Sequence, residues 1–273
     1  METNLTLLQY KEIIEVIKKQ LNVDLSQYAL SSLRYSFISI MKELRISNYS
    51  AFILSIETKI STQELIVSKL INESVSLFRE PSLWRIIKSS YFEEIIKRGQ
   101  LKIWLPELSK ASDLYTILIL LDYYNIRSKA RITVSDLSSI NIEESKTGLI
   151  SRDILPNTIL SLKRFNPDIN LDNYTYTSNN QTYIKKELLN NIFRIKGAFL
   201  ETKPSYTPNI VLFRNKLIYY NHVLEQKAIN HLYNTIAGGG LLFVGTKEDL
   251  TSFEINKKFR LINKDEQVYK RAY

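Results

Sequence analysis

Residues 211–220 read VLFRNKLIYY, and residues 238–248 read GGGLLFVGTKE. The first stretch belongs to an apolar run from Asn209 to Phe213, short and unbroken as a buried strand requires. A helical pattern follows from about Asn221 to Ile236. Gly238-Gly239-Gly240 then supplies a C-cap and turn before a second apolar run, Leu241 to Val244. Strand, helix and strand in this order predict a parallel pair joined by a right-handed crossover.

The same alternation extends toward the N-terminus. Pro81 opens a helix that closes before Gly99, and Leu101 to Leu105 reads as a strand. A helix from about Asp113 to Tyr124 leads to a second strand, Arg131 to Val134, ending at Ser135-Asp136. Between the two groups, Tyr174-Thr175-Tyr176-Thr177, Asn179-Asn180 and Thr182-Tyr183-Ile184 read as a β-hairpin, placing a β insert at about 165–190. The first seventy residues are helical instead. Leu8, Ile13, Ile14, Ile17 and Leu21 recur on one helix face, and further amphipathic stretches run from Ser26 to Leu44, Ala51 to Ile56 and Ser61 to Ile71. Ser61 with Glu64 three residues on predicts a capping box. The expected division is a helical domain over 1–72 and an α/β domain over 73–273.

The 273 residues include seven glycines, where an average protein of this length has about nineteen. No cysteine is present, which removes disulfides, thiolate metal sites and cysteine nucleophiles. His222 and His231 lie nine apart on one helix and do not share a face, so no metal site is expected. The longest apolar run, Ile117 to Leu121, is far short of the ~20 residues of a membrane span. The N-terminus lacks the order of a signal peptide, so a cytoplasmic protein is expected. The net charge of +9 is spread along the chain with acidic residues between, which favours a solvated surface over a nucleic-acid footprint.

LFRE at residues 77–80, VLFRNKLIYY and GGGLLFVGTKE resemble, in order and spacing, segments of the CheR family of chemotaxis-receptor glutamate methyltransferases. That family carries an FFR segment, a W-x-A-G-C-S-T-G-E-E-P-Y-S loop, a strand ending in Asp, a CRN-V-x-IYF segment and a G-x-S/K-E strand end. The resemblance runs from about Leu21 to Lys270. It implies a Rossmann-like S-adenosylmethionine methyltransferase fold with an inserted antiparallel β-subdomain and an all-α N-terminal domain. It also implies methyl transfer from S-adenosylmethionine to a glutamate carboxylate, with Arg79 and Tyr219 lining the reaction site. Asp113, Asp136, Phe199, Leu200, Arg214 and Asn215 fall on the positions that hold the cofactor. For Asp136, capping of the helix that follows is an alternative role.

The departures from that pattern concentrate in the loop after the first strand. Trp104, Ser109, Tyr115 and Thr116 keep the register, but the two family glycines fall on Glu107 and Ala111, and the paired glutamates on Ser112 and Asp113. The adenine-side Asn-Leu pair reads Phe199-Leu200, and the basic receptor-docking segment reads Arg34-Tyr35-Ser36-Phe37. A non-glycine residue held left-handed costs about 1–2 kcal/mol. Two functions follow as expectations. One is a binding or regulatory module with impaired or lost methyl transfer, whose partner is a receptor or signalling protein, or a peptide added to the β insert. The other is an active but divergent protein-glutamate O-methyltransferase.

Overall fold

The computed structural model describes residues 5–70, 76–108, 110–250 and 258–273. Four helices come first: α1 (Leu7–Leu21), α2 (Leu30–Glu43), α3 (Tyr49–Thr58) and α4 (Ile60–Ser68). Thr6 and Gln9 form a reciprocal capping box on α1, and Asn48 caps α3. The apolar stripe of α1, including Ile13 and Ile17, meets Phe37, Ile40, Phe52 and Ile66 in one core cluster. The capping box expected at Ser61 and Glu64 does not form. Lys59 ends α3 and begins α4 at once, so Ser61 is already inside the helix. Glu64 instead accepts a hydrogen bond from Ser139 at 3.1 Å. The end of this stretch at Ile71 lies outside the described residues.

The helix expected from Pro81 is α5 (Pro81–Ile86), continued through a wide π-helical turn over Ile87–Phe92 into α6 (Glu93–Arg98). Alternating units follow: β1 (Leu101–Pro106), α7 (Ser112–Tyr123), β2 (Ala130–Asp136) and α8 (Ser139–Thr147). Next come β3 (Leu149–Ile150), α9 (Leu155–Phe165), and the hairpin β4 (Thr175–Ser178) and β5 (Gln181–Ile184). Asn179 and Asn180 both have positive φ (48° and 59°), as the two-residue turn of a hairpin requires. The chain then runs through β6 (Ile192–Lys196), β7 (Ile210–Leu212), α10 (His222–Thr235), β8 (Leu241–Phe243), β9 (Phe259–Asn263) and β10 (Val268–Arg271). Helix α10 stops at Thr235, ahead of the glycines, with Ile236 as its C-cap. Gly239 makes the turn at φ +73°.

Seven strands form one sheet in the order β6-β2-β1-β7-β8-β10-β9. The first five are mutually parallel, and β10 runs antiparallel to both its neighbours. A separate three-stranded antiparallel sheet, β3-β5-β4, carries the hairpin and also draws in Leu149–Ile150, upstream of the expected insert. Apolar cores cover both faces of the large sheet, with Ile103, Leu105, Ile132 and Leu212 on one side and Trp104, Val211, Phe213 and Leu242 on the other. This alternation is the period-2 pattern of a strand buried on both faces. The order reverses between β1 and β7. In an open α/β sheet that is where the crevice for a ligand opens, at the carboxyl ends of the strands.

Candidate functional site

Four loops meet at that crevice: 107–111 after β1, 136–138 after β2, 197–201 after β6 and 213–221 after β7. They enclose a cavity of about 470 Å³. Its floor is Glu107, Asp136, Phe199 and Tyr220, and its roof comes from the helical region through Leu21, Asp24, Tyr28 and Leu70. The roof is tied down by backbone. Ala29 donates to the Tyr219 carbonyl at 2.8 Å, Asn221 donates to Gln27 at 2.8 Å, and the Tyr28 ring meets Tyr220 edge-on at 5.4 Å. A second, much smaller cavity of about 20 Å³, room for roughly one water, lies between Glu107, Asp113, Arg214 and Lys216. Glu107 lines both.

The loop after β1 keeps a glycine conformation without its glycines. Glu107 stands at φ +51° and Ala111 at +57°, so both replaced positions are left-handed. Phe78, Glu80 and Asn215 are left-handed as well, at 57°, 58° and 55°. Strain gathered in this way around one crevice is a mark of a functional site. Glu107 is half-buried, and its carboxylate accepts a hydrogen bond from the Tyr220 hydroxyl. Burial pushes the Glu107 carboxyl up to about 7, with Asp136 and Glu248 adding to the rise and Tyr220 and Lys216 opposing it. Burial likewise raises the phenols of Tyr220 and Tyr28 well above their ordinary range, reinforced by the charge of Glu107.

This has a consequence for stability. The native chain holds the Glu107 proton up to about pH 7, whereas the unfolded chain releases it near the ordinary value of 4.5. Between those values the native state binds more protons, so stability falls as pH rises. Glu107→Gln, which keeps an acceptor for Tyr220, is therefore expected to match the parent at about pH 4 and to exceed its stability by about 2 kcal/mol at about pH 8. Urea unfolding at the two pH values checks this, and an equal gain at both would contradict it.

Arg214 is the anchor beneath the smaller cavity. Its buried guanidinium reaches Asp113 at 2.6 Å and Glu80 at 2.7 Å, and lies over the Trp84 ring at 5.1 Å. It thereby joins the start of α7, the Leu77–Glu80 segment and the loop after β7. Glu248 shapes that loop from the other side, accepting from the amides of Asn215 at 2.7 Å, Gly245 at 2.5 Å and Ile218 at 3.3 Å. A Cβ on Gly245 would lie 2.4 Å from Asn215 Oδ1. Gly245→Ala is thus expected to destabilise by about 1–3 kcal/mol, read as a lowered urea midpoint. An unchanged midpoint would show that the loop yields freely.

Asp136, Phe199 and Leu200 all line the large cavity, and Asp113, Arg214 and Asn215 the small one. Asp136 is buried, and its Oδ1 accepts from the Ser138 amide (2.7 Å) and from Asn141 Nδ2 (3.2 Å). The N-cap of α8 is Ser138 itself. Phe199 stacks on Phe213 at 4.7 Å and meets His231 edge-on at 5.0 Å. Arg79 and Tyr219 line neither cavity. Arg79 approaches Asn215 Oδ1 at 3.4 Å, and Tyr219 is half-buried against the cluster around Phe213 and Tyr220. Ser109 lies outside the described residues. Sequence reading singled out neither Glu80 nor Tyr220, nor the contact of Tyr220 with Glu107. A signal was available, because Tyr220 puts a hydroxyl at the family's phenylalanine position and Glu107 a carboxylate at its glycine.

The residues present fit the adenosyl part of S-adenosylmethionine: an aromatic ring, a carboxylate at the end of β2 and a cavity of suitable size. For the amino-acid tail the smaller cavity has matching charges in Asp113, Arg214 and Lys216, but it has room for roughly one water, with Glu107 among the residues that line it.

Residues 73–268 match the family described as CheR methyltransferase, SAM binding domain. The chain is 21% identical over 240 residues to chemotaxis protein methyltransferase 1 of Pseudomonas aeruginosa, covering 83% of each. It is 17% identical over 261 residues to the chemotaxis protein methyltransferase of Borreliella burgdorferi, covering 90% of each. A further relative, an uncharacterized 104.1 kDa protein of Rhodobacter capsulatus, is 22% identical over 192 residues, which are 66% of this chain and 19% of that protein. Among solved structures, the N-methyltransferase NodS of Bradyrhizobium japonicum with S-adenosyl-L-homocysteine is 11% identical at a TM-score of 0.36, covering 75% of this chain and 95% of that one. Among the described residues no helix is long and apolar enough to cross a membrane. With the matched segment covering the whole large sheet except the last residues of β10, this chain belongs to the CheR methyltransferase family, whose domain is built to bind S-adenosylmethionine.

Proposed function

We propose that the chain keeps the family's cofactor cavity but transfers methyl groups poorly or not at all, and serves as a binding or regulatory module in signalling. The observation that carries this reading is Glu107. A carboxylate-bearing side chain occupies a left-handed position after β1 and is hydrogen-bonded to Tyr220, where it narrows the end of the site that the methionine tail would enter. Methyl transfer depends on holding the methyl group and its acceptor in line, and a displaced tail misplaces the methyl. S-adenosylmethionine, when bound, supplies an activated methyl group on sulfur. Asp136 and Phe199 would hold its adenosyl end, and Asp113, Arg214 and Lys216 face its tail. The names of the relatives, chemotaxis protein methyltransferases, support a signalling protein as partner.

The test is formation of base-labile methyl ester on proteins of a cell extract, supplied with S-adenosylmethionine labelled in the methyl group. The chain itself is expected to give no label above the blank, and Glu107→Gly to give more than the parent. The active reading, a divergent protein-glutamate O-methyltransferase, is favoured by the retained Arg79 and Tyr219. It requires label from the parent that falls in both Arg79→Ala and Tyr219→Phe.

A further inference from the structure

The described residues lining the large cavity include four carboxylates, Asp24, Glu107, Asp136 and Glu201, and no lysine or arginine, in a chain whose net charge is +9. Tyr28, Phe199 and Tyr220 add aromatic faces, whose quadrupoles also attract cations. Asp24 is engaged by Lys18 at 2.9 Å near the surface, and Asp136 is held by the start of α8. Glu107 differs from both. Among the described residues it is the one that lines both cavities, so its carboxylate stands where the adenosyl side of the site meets the amino-acid side. In S-adenosylmethionine the sulfonium joins those same two halves.

We propose that Glu107 makes ligand charge the determinant of occupancy, so that the site holds S-adenosylmethionine, with its cationic sulfur, in preference to S-adenosylhomocysteine, whose sulfur is uncharged. The inference rests on the cavity being the cofactor site, as proposed above. The two ligands differ by one methyl group and one positive charge, so shape alone gives little discrimination. A carboxylate backed by low-dielectric protein walls attracts a cation more strongly than it does in bulk solvent. A glycine at this position offers no such group. A module built in this way responds to the methyl donor and releases its by-product.

The groups facing Glu107 set the pH range of this preference. Tyr220 donates to it from the loop after β7, and Tyr28 faces it from the helical region. Asp136 at the end of β2 and Glu248 after β8 make its ionisation harder, whereas Lys216 makes it easier. Because burial dominates and the carboxyl ionises at about 7, the preference grows above that pH and fades below it.

Calorimetric titration of the full chain tests the inference with three ligands: S-adenosylmethionine, S-adenosylhomocysteine, and sinefungin, which carries an amine in place of the methylated sulfur. At about pH 8.5 both cations are expected to bind about tenfold more tightly than S-adenosylhomocysteine, and at about pH 6 all three within about threefold. Glu107→Gln, which preserves shape and the Tyr220 contact, is expected to abolish the preference at both pH values. Equal binding of S-adenosylmethionine and S-adenosylhomocysteine by the parent at the higher pH overturns the inference, as does a preference that survives in Glu107→Gln. Absence of heat from all three ligands removes the cofactor-site assignment as well. An efficient methyl transfer would overturn only the impaired-transfer reading and leave the charge preference standing.

Discussion

Glu107→Gly is expected to tighten binding of S-adenosylhomocysteine by at least about tenfold while leaving 5′-methylthioadenosine, which lacks the amino-acid tail, unchanged. The cavity bounded by Asp113, Arg214 and Lys216 has room for roughly one water, and Glu107 forms one wall of it. Removing that side chain joins the small cavity to the large one and exposes charges of both signs to the zwitterionic tail. Relief of the backbone strain at φ +51° bears on folding stability and not on affinity, because it is the same in the free and the bound chain. Calorimetry with the two ligands checks the expectation. An equal gain for both would show that the change acts on the adenosyl side.

Arg214→Ala is expected to destabilise the fold by about 3 kcal/mol, because it removes a buried guanidinium from Asp113 and Glu80 and from the face of Trp84, leaving Glu80 with Arg79 at 3.8 Å and Thr246. The Arg214 side chain is 1% exposed, against 17% for Glu80 and 26% for Asp113. Against a total stability of about 5–15 kcal/mol for an ordinary domain, that is a large share. Urea unfolding measures it directly. Since Arg214 lines only the smaller cavity, the folded fraction should still bind 5′-methylthioadenosine as the parent does. A loss under about 1 kcal/mol would mean that Glu80 and Asp113 find water when the arginine is gone.

The element order was legible because each unit carries local signals: apolar runs for β1, β2, β7 and β8, Pro81 and Gly99 bounding a helix, and Asn179-Asn180 between two halves of a hairpin. The sheet order was not written in any of those runs. The resemblance of LFRE, VLFRNKLIYY and GGGLLFVGTKE to one family implied the fold type, and the strand order itself is seen only in the structure. Ser61 and Glu64 misled because a box read from four residues ignores a preceding helix that ends at Thr58. The π-helical turn at Ile87–Phe92 has no sequence marker that we can name. At the site, the departures Glu107 and Ala111 were visible, but Tyr220 was not read as one and their joint meaning was not legible. Glu107 and Tyr220 are 113 residues apart and become partners only when β1 and β7 lie side by side. Arg214 gave its identity in the sequence but not its partners, since Glu80 and Asp113 come from two other segments.

The proposal that Glu107 closes the methionine end is tested most directly by titrating the unaltered chain with 5′-methylthioadenosine and with S-adenosylhomocysteine. Both are uncharged at sulfur, and they differ only by the amino-acid tail. If Glu107 shuts that end, the two bind within about threefold of each other, with the adenosyl cavity supplying the affinity. S-adenosylhomocysteine binding about thirtyfold more tightly, or more, would show a tail fully seated beside Asp113, Arg214 and Lys216, and would contradict the proposal that this site is impaired for methyl transfer.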